Sequence, residues 1–167
     1  MKRTTDYVEV QEGVRLARTV WAPAGSPGRE RDGQDENAAG DLGDRGPHGA
    51  VLIVHGMAEH RSRYEELGVA LANSGFYACA YDQRGHGDTA SAASSRRHIS
   101  PGNAWSLLVH DARAVLLEVW NEAVTSVDSS SSTSVPAFVP TFVIGHSMGS
   151  LVVRDLLASF ASEVEDS

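Results

Sequence analysis

Three apolar runs of strand length constrain this chain more than any other feature. They are "AVLIVHG" from Ala50, "FYACAYD" from Phe76 and "AFVPTFVIG" ending at Gly145. None alternates apolar with polar, as a half-exposed strand would. Continuous runs of this kind suit parallel strands covered on both faces. Between them lie helical patterns. Tyr64, Leu67, Ala70 and Leu71 recur at helical spacing, closed by Asn73-Ser74-Gly75. Trp105, Leu108, Ala112, Val115, Leu116 and Val119 mark one face of a longer helix, with Asn103 as its expected N-cap. Leu151, Val152, Asp155, Leu156 and Phe160 define a last helix. Upstream, "DYVEV" and "RLARTVW" flank the turn Gln11-Glu12-Gly13 and predict an opening hairpin. Alternating strands and helices imply right-handed crossovers and an α/β fold with a mostly parallel sheet. Ligands of such sheets bind beyond the carboxyl ends of the strands.

Two segments break the pattern. Residues 24–48 are rich in Gly, Asp, Glu and Pro, with Leu42 the only large apolar side chain. Such a stretch buries too little surface to offset its ordering entropy, so it is expected to be a disordered acidic insertion, or else an acidic tether. Residues 126–135 read as a flexible serine-rich connector. The formal charge of -8 gives no basic field for nucleic acid. No apolar run approaches the roughly 20 residues of a membrane span. The N-terminus lacks the apolar core of a secretory signal, and a cytoplasmic location is the expectation. The single cysteine, Cys79, sits in an apolar run and reads as a small buried hydrophobe.

Chemistry gathers at the three strand ends. Gly145-His146-Ser147-Met148-Gly149 is a G-x-S-x-G pentapeptide between an apolar run and an amphipathic helix. That context distinguishes a nucleophile elbow from a tight turn with an incidental serine. The glycines admit a close strand-to-helix turn, and the serine is driven into an exposed, strained position. The Met148 N–H, at the positive end of the following helix, would face a developing oxyanion. His55-Gly56-Met57 ends the first run, where the Met57 N–H would supply a second oxyanion donor. His55 reads as a structural histidine bonded to loop backbone, or alternatively as a base. Asp82-Gln83-Arg84-Gly85-His86-Gly87-Asp88 ends the second run. Asp82, His86 and Asp88 suggest either a metal site or a tight loop, with Asp82 and Arg84 as its ties; the glycines favour the loop. No H-E-x-x-H, C-x-x-C, P-loop or dinucleotide fingerprint is present.

The stretches "VLIVHGMAEHRSRYEELGVALANSGFYACAYDQRGHGDT" (51–89), "HISPGNAWSLLVHDARAV" (98–115) and "PTFVIGHSMGSLVVRDLL" (140–157) together resemble the α/β-hydrolase superfamily. Within it they resemble the monoacylglycerol lipase and bacterial lysophospholipase-like, serine aminopeptidase S33-type branch. The resemblance implies Ser147 as nucleophile and Met57 and Met148 as oxyanion donors. It also implies that Glu59, His60 and Arg63 organise the loop beside the site, although Glu59 and Arg63 also read as a solvated charge pair. It implies a lipid-like or small acyl ester substrate and neither metal nor organic cofactor. In that family the triad acid and histidine follow later strands, beyond a cap domain. Residues 1–167 therefore read as the N-terminal part of such a domain, without cap or C-terminal half. Asp155, Glu163, Glu165 and Asp166 lie on or just past the elbow helix, the wrong element for a triad acid. A non-catalytic remnant and an interaction module using the acidic loop are the rival readings. An apolar strand left at an open edge is expected to promote self-association.

Overall fold

The computed structural model describes residues 1–24, 47–90, 102–126 and 139–165. Most of the acidic insertion, and the serine-rich connector beyond Ser126, lie outside these residues. The first two strands, β1 (Lys2–Gln11) and β2 (Val14–Ala22), form the opening hairpin, longer at both ends than the apolar pattern predicts. Then come β3 (Gly49–Val54), α1 (Glu65–Asn73), β4 (Phe76–Tyr81), α2 (Ala104–Thr125), β5 (Thr141–Gly145) and α3 (Met148–Glu165). The sheet order is β1-β2-β4-β3-β5. β3 pairs in parallel with β4 and β5, and the hairpin joins antiparallel through β2 against β4.

β3 is buried along its whole length, as a central parallel strand should be. Its alternate residues feed two cores. Ala50, Leu52 and Val54 face α2 and α3, together with Cys79, Leu108, Val115, Val152 and Leu156. Val51 and Ile53 face the α1 side, with Trp21, Ala72, Ala78 and Ala80. Burial pushes the Cys79 thiol up to about 12, so it stays protonated and unreactive.

Three expectations change in three dimensions. Helix α1 buries Gly68 and Ala72, while Leu67 and Ala70 are exposed. The reason is distance: a methyl group on Gly68 would stand 2.3 Å from the Trp21 ring, so only small residues let this helix approach the sheet. The third apolar run is not fully covered. Among the described strands β5 is at the sheet edge, and Phe142 is 49% exposed. Asn103 sits at the N-cap of α2 without a side-chain capping bond, and its carbonyl accepts the Leu107 N–H instead.

Candidate active site

The carboxyl ends of β3, β4 and β5 bring the three motifs together. At the end of β5 the His146 N–H donates to Val54 O, pinning the turn to β3. Ser147 then adopts φ 52°, a left-handed conformation that costs a non-glycine residue energy, and its side chain is exposed. α3 starts at the next residue. The flanking glycines are required by space. A methyl on Gly149 would lie 2.2 Å from Val54 O, and one on Gly145 would lie 2.6 Å from Ser150 Cα. A side chain at either position would push the helix off the sheet.

The loop after β3 lies against this turn. A methyl on Gly56 would be 3.1 Å from Ser147 Cβ. Met57 is exposed, and Ala58 has φ 60°. Among the described residues, neither the Met57 N–H nor the Met148 N–H finds an acceptor. Two free backbone donors thus flank an exposed hydroxyl.

Glu59 holds the loop and the turn to each other. Its carboxylate accepts from Gly56 N–H (3.0 Å), Tyr64 O–H (2.9 Å) and His146 Nδ1 (3.1 Å), and pairs with Arg63 at 3.2 Å. The Gly56 N–H chiefly, with the Tyr64 and His146 bonds, holds the Glu59 carboxyl down at about 2 against the cost of burial. The His60 side chain is exposed and makes no hydrogen bond to a described residue.

His55 is 1% exposed, and both ring nitrogens are used. Nδ1 donates to Gly56 O at 2.7 Å, and Nε2 accepts the Gln83 N–H at 3.0 Å. Burial lowers its pKa, so it is neutral. His86 is similarly committed: Nδ1 donates to Arg84 O, and Nε2 accepts the Ala58 N–H at 3.3 Å. His55 and His86 therefore fasten the two loops, and no described histidine is hydrogen-bonded to Ser147 Oγ.

The sequence pattern missed the residue that anchors this corner. Arg61, two residues before Arg63, is 7% exposed. Its backbone N–H donates to Asp82 Oδ1 at 2.7 Å, and its guanidinium pairs with Asp82 and, at 2.7 Å, with Asp88. Asp82 also accepts the Asp88 N–H at 2.8 Å. Arg84 ties the β4 loop not internally but to Asp111 on α2, through bonds of 2.6 and 2.8 Å. Asp82 and Asp88 are thus occupied by Arg61 and backbone donors. Among the described residues no cluster of metal-ligating side chains occurs. A buried charge reached by a backbone N–H leaves no periodic signal, and an "EHRSRY" string offers two arginines with no local reason to choose between them.

Beside Ser147 is an open cavity of about 650 Å³, lined by Met57, Trp105, Leu108, Ser147, Met148 and Leu151, with Ala104 at its edge. Residues 45–165 match the family described as serine aminopeptidase, S33. The chain belongs to this family of α/β-hydrolases. Among its relatives is a monoacylglycerol lipase of Mycolicibacterium smegmatis, 28% identical over 151 residues, or 90% of this chain and 40% of the relative. A monoglyceride lipase homolog of monkeypox virus is 28% identical over 64% of this chain and 32% of its own length. The S33 chain therefore spans less than half the length of these relatives. Its fold matches a thermostable carboxyl esterase of Bacillus coagulans in complex with glycerol, with a TM-score of 0.62 and 22% identity, covering 96% of this chain and 41% of that one. It also matches a lipase in an open form, with a TM-score of 0.57 and 24% identity, over 93% of this chain and 39% of that one. Among the described residues no helix is long and apolar enough to cross a membrane.

Proposed function

We propose that this S33 domain hydrolyses carboxylic esters of lipid-like or small acyl type, as a monoacylglycerol lipase or lysophospholipase does, with Ser147 as the nucleophile. The observation that carries the reading is the exposed Ser147, strained at φ 52°, between two backbone N–H groups that no described residue satisfies. Ser147 Oγ attacks the ester carbonyl. The carbonyl oxygen becomes an oxyanion and accepts from the Met57 and Met148 N–H groups, aided by the positive end of α3. The alcohol departs, and water releases the acyl group from the serine. The hydroxyl proton goes to a histidine base, which the described residues do not place at Ser147. No metal or organic cofactor takes part in this scheme, and the site takes neither nucleic acid nor a membrane span. His55, Gly56, Glu59, Arg63 and Asp82 act in it as supports of the oxyanion loop, His60 contributes the carbonyl that accepts the Arg63 N–H, and Arg84 secures the neighbouring β4 loop against α2.

The Ser147 hydroxyl, without a partner among the described residues, also favours a second reading, in which these residues alone turn over almost nothing. Loss of the base typically costs ~10⁴–10⁶ in turnover. Labelling with a fluorophosphonate, in this chain and in a chain extended to the full length of its relatives, tests both. We expect strong labelling of the extended chain that Ser147→Ala abolishes, and weak labelling of residues 1–167. Full labelling of the extended Ser147→Ala variant would refute the nucleophile. An unlabelled extended chain would favour a non-catalytic fold.

A further inference from the structure

The cavity beside Ser147 is built from the first turns of two helices. Trp105 and Leu108 project from α2 one turn apart, and Met148 and Leu151 from α3. Among the described residues no charged side chain lines it, and Ser147 supplies the only hydroxyl. Its volume, about 650 Å³, falls within the ~300–1,000 Å³ of small-molecule sites. Leu108 is 2% exposed and forms a closed floor, whereas Trp105 at 39% and Leu151 at 47% form the walls. Away from Ser147 and the two N–H groups beside it, the described lining offers the hydroxyls of an alcohol group no free side-chain donor or acceptor, and burying them there would be costly. A hydrocarbon chain would lose nothing.

One wall is fastened. Trp105 Nε1–H donates to Asp155 Oδ2 at 2.7 Å, across 50 residues of chain. The bond joins α2 to α3 at the cavity and holds the indole in one orientation. The Asp155 carboxyl in turn lies below its usual range, through the Trp105 N–H first and Arg154 second. An indole free to rotate would give a floppy wall, whereas a tethered one sets a fixed width.

We infer that Trp105, held by Asp155, is the residue that determines which acyl chains fit the apolar cavity beside Ser147. The inference rests on the ester-hydrolase reading for the direction of the substrate, with the carbonyl at Ser147 and the alcohol pointing away. Trp105 contacts the acyl chain and Asp155 is a positioning residue.

The test separates binding from chemistry. A terminally brominated medium-chain fatty acid quenches a tryptophan it touches. In the Trp120→Phe chain the remaining tryptophans are Trp105 and the buried Trp21. Saturable quenching is expected, retained in Ser147→Ala. Calorimetry with hexanoate, octanoate and decanoate should give about fourfold tighter binding for each added methylene. Trp105→Ala should weaken decanoate roughly tenfold or more and flatten the series. Asp155→Ala should shift it the same way while keeping the indole, and Asp155→Asn, which retains an acceptor, should restore it. Thermal melts check that each variant is folded, and Trp105→Phe serves if Trp105→Ala is not. Absent or non-saturable quenching would overturn the inference, as would a methylene increment unchanged in folded Trp105→Ala and Trp105→Phe. If the fatty acid binds as described but no fluorophosphonate labels Ser147 in the extended chain, the acyl site stands and the hydrolase reading falls. If Ser147 is labelled equally by short and long alkyl probes and the fatty acid does not bind, the reverse holds.

Discussion

Replacing Arg61 by Met removes the cation from the most buried ion pair in the described structure and leaves its partner behind. The Arg61 side chain is 8% exposed and that of Asp82 is 0% exposed. Burial on its own would lower the Arg61 pKa, but the Asp88 bond and the Asp82 and Asp88 charges more than reverse this, and the guanidinium stays charged. Breaking a buried pair from one side typically costs about 3–5 kcal/mol, because an uncompensated charge remains. For a chain of this size that corresponds to a fall in Tm of roughly 6–20 °C. The bond to Asp88 adds little, since that carboxylate is 66% exposed. Adding Asp82→Asn to Arg61→Met removes the stranded charge. The two carboxylate oxygens of Asp82 accept different backbone donors, Arg61 N–H on Oδ1 and Asp88 N–H on Oδ2. Asn has one carbonyl oxygen, so one N–H is left facing an NH₂ group, at about 1–3 kcal/mol. The double variant should therefore be more stable than the single one. Urea unfolding followed by far-UV circular dichroism gives both values, with equal m-values as the check on comparison. A single variant that costs under ~1 kcal/mol, or a double variant less stable than the single, would refute the argument that charge burial dominates here.

Gly149→Ala should prevent the elbow from forming, because its methyl would meet Val54 O at 2.2 Å; soluble, fully stable protein would show that α3 can shift. Acid should loosen the site in two windows. The lowered His55 pKa means its contribution is complete above the ordinary value of 6.5 and lost as pH falls below it, and the lowered Glu59 pKa means its tie is complete above 4.5 and lost as pH falls towards about 2. Stability measured against pH should thus lose its His55 step in a His55→Gln variant and its deeper step in Glu59→Gln; unchanged profiles would dismiss both. Gly68→Ala should lower the Tm, since the added methyl would overlap the Trp21 ring at 2.3 Å, and Trp21→Leu should restore part of the loss. The β5 edge, with Phe142 half exposed, is expected to give oligomers of residues 1–167 on sizing chromatography and binding of a hydrophobic dye, and a monodisperse monomer that binds no dye would count against it.

The local grammar of this chain was open to reading. A run such as Val51–Val54 has to be covered on both faces wherever it sits, because no polar residue alternates with it. Likewise Gly145 and Gly149 around Ser147 announce a turn too tight for side chains, and the GHSMG string carries its own reason. These signals act over a few residues, within reach of the covalent chain, so periodicity and turn chemistry report them. The tertiary structure decided what depends on which elements meet. It inserted β4 between β2 and β3, left Phe142 of β5 uncovered among the described residues, and turned Gly68 rather than Leu67 towards the sheet because Trp21 had filled that space. It chose Arg61 over Arg63 for Asp82, and joined Trp105 to Asp155 across two helices. Such choices are made by distance and by the cost of stranding a buried charge or donor. Those quantities exist only once segments far apart in the chain have been packed together.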